Sequence, residues 1–354
     1  MGDIAKRAAL ATLVVGGVVV LALAFWKIRL LVALLFFAFI IAAAMRPGIE
    51  ALRRRGVPRG AGVAIHYVGF FALIAALLWV VVPRATQQVS NALGDLPSSP
   101  AELETEANQS TGVRREILEG IQQRLEELPS ASELVDPALE IGFIGFEILI
   151  GLFFVFACAA YWIFEREKAI NLVTSLIPRP RRKKVRDTWD LIDLKLGAYV
   201  RGQAILIAVV GTVLSLVFWA IGLPYWLLIG VFAGIVEIVP VIGPITAGAV
   251  AIGAGLTVSW QLGLAAGVTV LVVRLLEDYI IIPRVLGEAV GLSPLLVLFS
   301  ITSVALLFGE FAVLLAIPLA AVLATLIDVI VRGKDPAEED VPTVIFSPAD
   351  SETG

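Results

Sequence analysis

Apolar residues in this chain are gathered into long uninterrupted blocks, and this pattern constrains the fold more than any other. Blocks lie at residues 8–26, 28–45, 61–82, 141–164, 203–222 and 262–282. Each approaches or exceeds the roughly 17 to 25 residues that a helix needs to cross a bilayer core. None carries the caps and polar face of a soluble helix. With 59% hydrophobic and only 16% charged residues, and a strongly positive mean hydropathy, the chain could not stay in solution as a globule. The expected fold class is an all-α integral membrane protein, a polytopic helical bundle of about eight membrane segments. The first block is longer than the apolar region of a signal peptide, and a second block follows almost at once, so it reads as a retained helix.

Two further apolar regions, 225–258 and 291–331, are interrupted. In the first, EIVPVIGPI places Pro240, Gly243 and Pro244 inside a lipid-compatible segment. Proline removes a backbone donor there, and the freed carbonyls are tolerated only where protein or a water-filled cavity surrounds them. In the second, Gly309 and Glu310 separate two apolar legs, with Pro318 further on. Both are expected to be Pro/Gly-broken helical hairpins entering from opposite sides, the pattern of inverted-repeat transporters. Four short full spans would satisfy the same topology.

Basic residues in short loops orient the chain, since they resist translocation. Arg46, Arg53, Arg54, Arg55 and Arg59 follow the second block, and Arg179, Arg181, Arg182, Lys183, Lys184 and Arg186 follow the fourth. The intervening stretch 83–140 carries eleven Asp and Glu against four Arg. The expectation is a multi-pass protein of the plasma (inner) membrane with both termini cytoplasmic. Five regions follow: transmembrane helices 1 to 3 (1–82), an extracytoplasmic acidic helical segment (83–140), the fourth span with a cytoplasmic amphipathic basic helix (141–201), a C-terminal core with broken helices (202–331), and a disordered acidic tail (332–354). Val185, Trp189, Ile192 and Leu196 share one face of the basic helix, which suits a helix lying along the inner leaflet.

Several chemistries are disfavoured. One cysteine, Cys158, and one histidine, His66, leave no intrachain disulfide, no cysteine-based metal site and no Ser-His-Asp triad. There is no phosphate-binding loop of the G-x-x-x-x-G-K-[ST] type and no H-E-x-x-H pair. Neither an enzyme nor an ATP-driven pump is expected, and no cofactor, metal or nucleic acid is implied. Attention falls on charge inside the membrane. Arg274, Glu277 and Asp278 occupy i, i+3 and i+4 of one span, so they share a helix face and should point inward. An Arg274–Asp278 pair that fixes packing is one reading, and substrate or ion binding is the other. Glu237 has no cation near it in the chain and is a candidate protonatable or cation-binding group. Glu310 marks the tip of the second hairpin.

Four strings then look familiar: Tyr199-Val200-Arg201-Gly202-Gln203, Pro240-Val241-Ile242-Gly243-Pro244, PRVLGEAVGLSPL from Pro283 to Leu295, and FGEFAVLLAIPLAA from Phe308 to Ala321. In order and spacing they resemble the autoinducer-2 exporter (AI-2E) family of membrane permeases, over residues 8–331. The resemblance implies an inner-membrane transporter acting without ATP hydrolysis, as a homo-oligomer, on the signal molecule autoinducer-2 or as a sodium/proton antiporter. Carried over position by position, it marks Arg201, Gly202, Gln203, Pro240, Gly243, Pro244, Pro283, Gly287, Pro294, Gly309 and Pro318, most of which report backbone shape. The reading is a secondary transporter that exports a small polar solute or exchanges a cation, sodium among them, for protons. It would do so by alternating exposure of a site between the two broken regions. A passive channel or pore-forming oligomer and a non-transporting scaffold are the alternatives, and the lipid bilayer is a partner in all three.

Overall fold

The computed structural model describes residues 2–93, 135–239, 242–285, 293–339, 341 and 344–345. Helices account for nearly all of them, and no strand occurs among the described residues. Most of the stretch expected to form the extracytoplasmic cap, and the end of the tail, lie outside this set.

The helices, in chain order, are α1 (Gly2–Lys27), α2 (Arg29–Arg54), α3 (Arg59–Leu93), α4 (Val135–Ser175), α5 (Arg179–Ala220), α6 (Trp226–Val236), α7 (Ile242–Leu256), α8 (Trp260–Leu276), α9 (Ile282–Val285), α10 (Pro294–Phe308) and α11 (Ala316–Ile330). Among the described residues, five stretches are long and apolar enough to cross a membrane: Arg29–Arg54, Arg59–Gln88, Gly145–Ser175, Arg179–Ala220 and Ala312–Ile330. With the shorter apolar helices α6, α7 and α10, they make a polytopic helical membrane protein. Large apolar side chains such as Leu73, Trp79, Phe153 and Leu306 are exposed along these helices. That is the surface expected where lipid, not water, is the neighbour.

The two interrupted regions are each a pair of helices, both short in the first region and only the leading one short in the second. With 11 residues in α6 and 15 in α7, the legs are about 16 and 22 Å long, short of the roughly 30 Å hydrocarbon core. They pack against each other on either side of the break. Gly243 closes that turn: a Cβ there would lie 2.1 Å from the Val236 carbonyl oxygen. Pro244 follows in the first turn of α7, where its missing N–H costs nothing. In the second region Gly309 ends α10 with φ of 94°, a conformation glycine adopts without strain. A 3₁₀ turn, Glu310–Leu315, then leads into α11, and Pro318 is fully buried near the start of that helix.

Two compact units are formed. One comprises Met1–Ala44, Gly151–Gly197 and Val290–Glu339. Its α2–α4 seam buries Ala38, Ala42, Val155 and Ala159, and Phe39, Trp162 and Trp189 pack together, the two indoles stacked at 5.9 Å. Arg166 of α4 is buried and donates to Asp190 and Asp193 of α5 and to Glu167, while Arg186 donates to Glu167 and Asn171. Residues 181–196 are therefore not a separate helix. They are the first turns of α5, which continues unbroken to Ala220. Their polar face is taken up by α4, through ion pairs that join residues some 25 positions apart and leave no local signature.

The other unit comprises Met45–Ile150, Ala198–Ala289 and Asp340–Gly354. Its core is Val210, Leu214, Phe218, Leu223, Ile229, Ala233, Ala247, Ala251, Ala266 and Val273. Small residues set the helix spacing. Gly230 and Gly234 of α6 meet Gly211 and Ser215 of α5, and Gly255 of α7 meets Gly263 of α8. This is the small-xxx-small contact that lets membrane helices approach closely.

The segment after α11, expected to lack structure, makes specific contacts. Lys195 donates to Glu339 at 2.6 Å within the first unit. Arg201 donates to the Val344 carbonyl at 3.0 Å within the second, where Val344 is buried. The hydrogen bond from Lys195 holds the Glu339 carboxyl below the usual carboxylate range. A depressed carboxylate contributes stability above its unfolded pKa of about 4.3 and loses it as pH falls through the folded value. Hydrogen exchange of residues 331–339 should accelerate below about pH 4, and Glu339→Gln should show the accelerated pattern at neutral pH.

Candidate functional site

Four charged side chains expected in the membrane converge within the second unit. Glu237 caps the C-terminus of α6, its N–H bonded to the Ala233 carbonyl. Arg274 lies in the last turn of α8. Glu277 opens a π-helical turn, Glu277–Ile281, that continues α8 and leads into α9. Arg274 binds all three acids: Nη1 donates to Glu237 Oε1 at 3.0 Å and to Glu277 Oε2 at 3.2 Å, and Nη2 lies 2.9 Å from Asp278 Oδ1.

Burial is graded across the cluster. Glu277 and Glu237 are 2% and 6% exposed as side chains, Arg274 is 29% exposed and Asp278 41%. One side of the cluster is thus sealed in protein and the other is open. The Arg274–Asp278 pair expected from spacing is present, but it is the outer contact of a larger group. Glu237, without a cation near it in sequence, receives one from 37 positions away. Its backbone is held as well, since Gln203 of α5, itself buried, donates Nε2 to the Glu237 carbonyl at 3.1 Å. That carbonyl is among those released where α6 ends, so Gln203 satisfies one acceptor that the broken helix leaves open.

The π-helical turn has a local cause. Pro283 lies two residues beyond it, in α9, and cannot donate the N–H that a regular helix would direct at the Tyr279 carbonyl. A wide turn, in which the Ile282 N–H reaches back to the Glu277 carbonyl, accommodates this, and such turns occur frequently at functional sites. It also sets Glu277 inward while Tyr279 faces out at 78% exposure.

As chemistry, the group holds three carboxylates around one guanidinium. With all four ionised it carries two negative charges in excess, and buried charge is tolerated only when paired. Each carboxylate turns toward Arg274, and among the described residues no trio of acids converges on a metal position. Of the other residues marked in the sequence, Arg201 and Gly202 immediately precede the cluster's Gln203 on α5. Gly243, Pro244 and Pro283 shape the backbone on either side of it. Gly309, Glu310, Pro294 and Pro318 belong to the first unit. Pro240 and Gly287 lie outside the described residues.

Two features of the site carry their own signals in the sequence. GVFAG at 230–234 is a G-x-x-x-G motif in an apolar helix, and it brings α6, and with it Glu237, against α5. Gln203 opens an apolar block, and a polar amide in an apolar helix is itself a candidate for a buried contact.

Comparison with known proteins gives a consistent result. The family model described as AI-2E family transporter matches residues 16–332. The chain is similar to YrrI of Bacillus subtilis, named as a transport protein, at 25% identity over 84% of this chain and 86% of that one. It is similar to YueF of the same organism, also named as a transport protein, at 24% identity over 85% of each. A third relative is PerM of Escherichia coli, named as a permease, at 25% identity over 84% of this chain and 86% of the relative.

Proposed function

The chain belongs to the AI-2E family of transporters, and from that membership we propose that it is a secondary transporter whose coupling site is the Arg274 cluster. It is a multi-pass membrane protein, and the proposal places it in the inner membrane with both termini cytoplasmic, acting as a homo-oligomer. In this reading it has no catalytic role. It exports a small polar solute or signal molecule, or exchanges a cation such as sodium for protons.

One observation carries the reading: a cluster with more carboxylates than cations, built where one helix breaks and another widens, sealed on one side and open on the other. A scaffold has no need of such a group, because charge at this depth is costly and an apolar core would serve packing as well. Asp278 is the outer, accessible acid and Glu237 the inner one. Arg274 alternates in strength between them as a proton or cation arrives. The carbonyls released at the end of α6 supply neutral ligands.

Transport by the purified protein in liposomes, with imposed sodium and pH gradients, tests this. Glu237→Gln is expected to lower the coupled rate about tenfold or more, the effect of about 1.4 kcal/mol, and to flatten its pH dependence. Asp278→Asn, on the exposed side, is expected to have the smaller effect. Wild-type rates and pH dependence in both variants would overturn the assignment. Flux that fails to saturate and needs no gradient would identify a passive pore instead.

A further inference from the structure

Within the first unit an open-sided groove of about 1070 Å³ runs along α2, bounded by α4, the first turns of α5 and α11. That is at the upper end of the roughly 300 to 1,000 Å³ of small-molecule pockets. Its walls are apolar, from Val32 and Phe36 at one end to Trp162, Trp189 and Leu326 further along, and no carboxylate lines it. Leu35 and Ile330 on its outer lip are exposed.

One end is different. Arg181 and Lys184 contribute to the lining there, both exposed. The acids of this region are already matched, Glu167 by Arg166 and Arg186, and Asp190 and Asp193 by Arg166. Arg182 is turned onto the carbonyls of Ser175 and Ile177. Asp187, one turn along, is not part of the lining. Among the described residues neither Arg181 nor Lys184 has an ion-pair partner. The aromatic group Phe39, Trp162 and Trp189 lines the same groove. The groove thus joins basic, aromatic and aliphatic side chains, the three kinds that meet headgroup, interface and hydrocarbon in a leaflet.

We propose that this groove is a binding site for one anionic phospholipid, its phosphate held by Arg181 and Lys184 and its acyl chains laid along α2 against Phe36, Val32 and Leu326. A helix of a second copy would fill the apolar trough but has no use for the two unmatched cations. The chain's own tail after Phe346, SPADSETG, carries acids but no large apolar side chain to fill the trough. Only a lipid satisfies both ends. Val185, Trp189 and Ile192 of the amphipathic face thereby meet lipid in a built groove.

Native mass spectrometry of the full-length protein, equilibrated with mixed micelles of dioleoyl phosphatidylglycerol and phosphatidylcholine and then washed, is the test. The wild type should retain phosphatidylglycerol over phosphatidylcholine at about one per chain. The double variant Arg181→Gln/Lys184→Gln should lose about thirtyfold in phosphatidylglycerol retention, the effect of two basic contacts, with phosphatidylcholine unchanged. Both substitutions are on exposed residues, so thermal unfolding should match wild type. Leu326→Trp, which fills the trough, should lower retention of both lipids. Undiminished phosphatidylglycerol in the charge variant would overturn the proposal in favour of non-specific annular lipid. So would a Leu326→Trp variant that keeps its lipid but dissociates into single chains, since a second copy would then cover the groove. Lipid retention that rises only when the chain is truncated after Val344 would show the tail as the occupant and overturn it equally.

Discussion

Arg274→Met is expected to destabilise the protein by about 3 to 5 kcal/mol, the usual cost of removing one partner from a buried ion pair, and to abolish transport. The reason is asymmetric burial. Arg274 reaches three carboxylates, and two of them, Glu237 and Glu277, have almost no access to water. Without the guanidinium these acids repel one another in an environment that cannot solvate them, and α6 is driven from the π-helical turn. The apolar stem of methionine fills much of the same space, so the loss reports charge and not volume. Thermal unfolding in detergent checks the stability, and liposome transport checks the activity. Adding Glu237→Gln and Glu277→Gln to Arg274→Met should recover most of the stability and none of the transport, because it removes the stranded charge along with the site. An Arg274→Met variant that unfolds with the wild type would mean that the four groups are not an energetic unit.

The second large effect is steric. Gly234→Leu should leave little folded protein, because a Cβ at this position would lie 2.6 Å from the Ile207 carbonyl oxygen and 2.8 Å from Gly211 Cα. Both are backbone atoms of α5, so relief requires the helices to separate. That places the cost at or above the upper end of the roughly 1 to 3 kcal/mol of ordinary overpacking. The same displacement would carry Glu237 away from Gln203. Gly253→Ala is the matched control: it lies on α7 with nothing within 4 Å, and it should be neutral or stabilising by up to about 1 kcal/mol through helix propensity alone. The yield of monodisperse protein in size-exclusion chromatography separates the two. Comparable yields would show that the α5–α6 seam is looser than its geometry implies.

How far these features could be read from sequence depends on the range of the physics behind them. Membrane helices are a local property, since a lipid-facing segment must be apolar along its whole length, and so α3 and α4 contain their expected blocks and extend beyond them, while α2 covers all of its block but Ile28. The break between α6 and α7 was legible for the same reason, because Gly243 and Pro244 act on their own backbone. The grouping of Arg274, Glu277 and Asp278 followed from helical spacing. What spacing could not reveal is that Arg274 also holds Glu237, a contact made by tertiary packing over 37 positions. The start of α5 misled for a related reason: Val185, Trp189, Ile192 and Leu196 have the period of a surface helix, and the buried partner of its polar face, Arg166, lies on a different helix. Amphipathic periodicity says that a face is apolar without saying what covers it.

The π-helical turn at Glu277–Ile281 has an arithmetic consequence. Such a turn holds one residue more than an α-helical path between the same two points. Everything after it, Pro283 and Arg284 included, is rotated by about 100° and displaced by about 1.5 Å relative to an uninterrupted helix. The turn therefore works as a phase shifter: it lets Glu277 address the protein interior while α9 leaves on a bearing that the face of α8 alone would not give. Deleting one residue between Tyr279 and Ile281 would not merely remove a side chain. It would return the downstream segment to the phase of α8 and redirect it by more than a quarter of a turn.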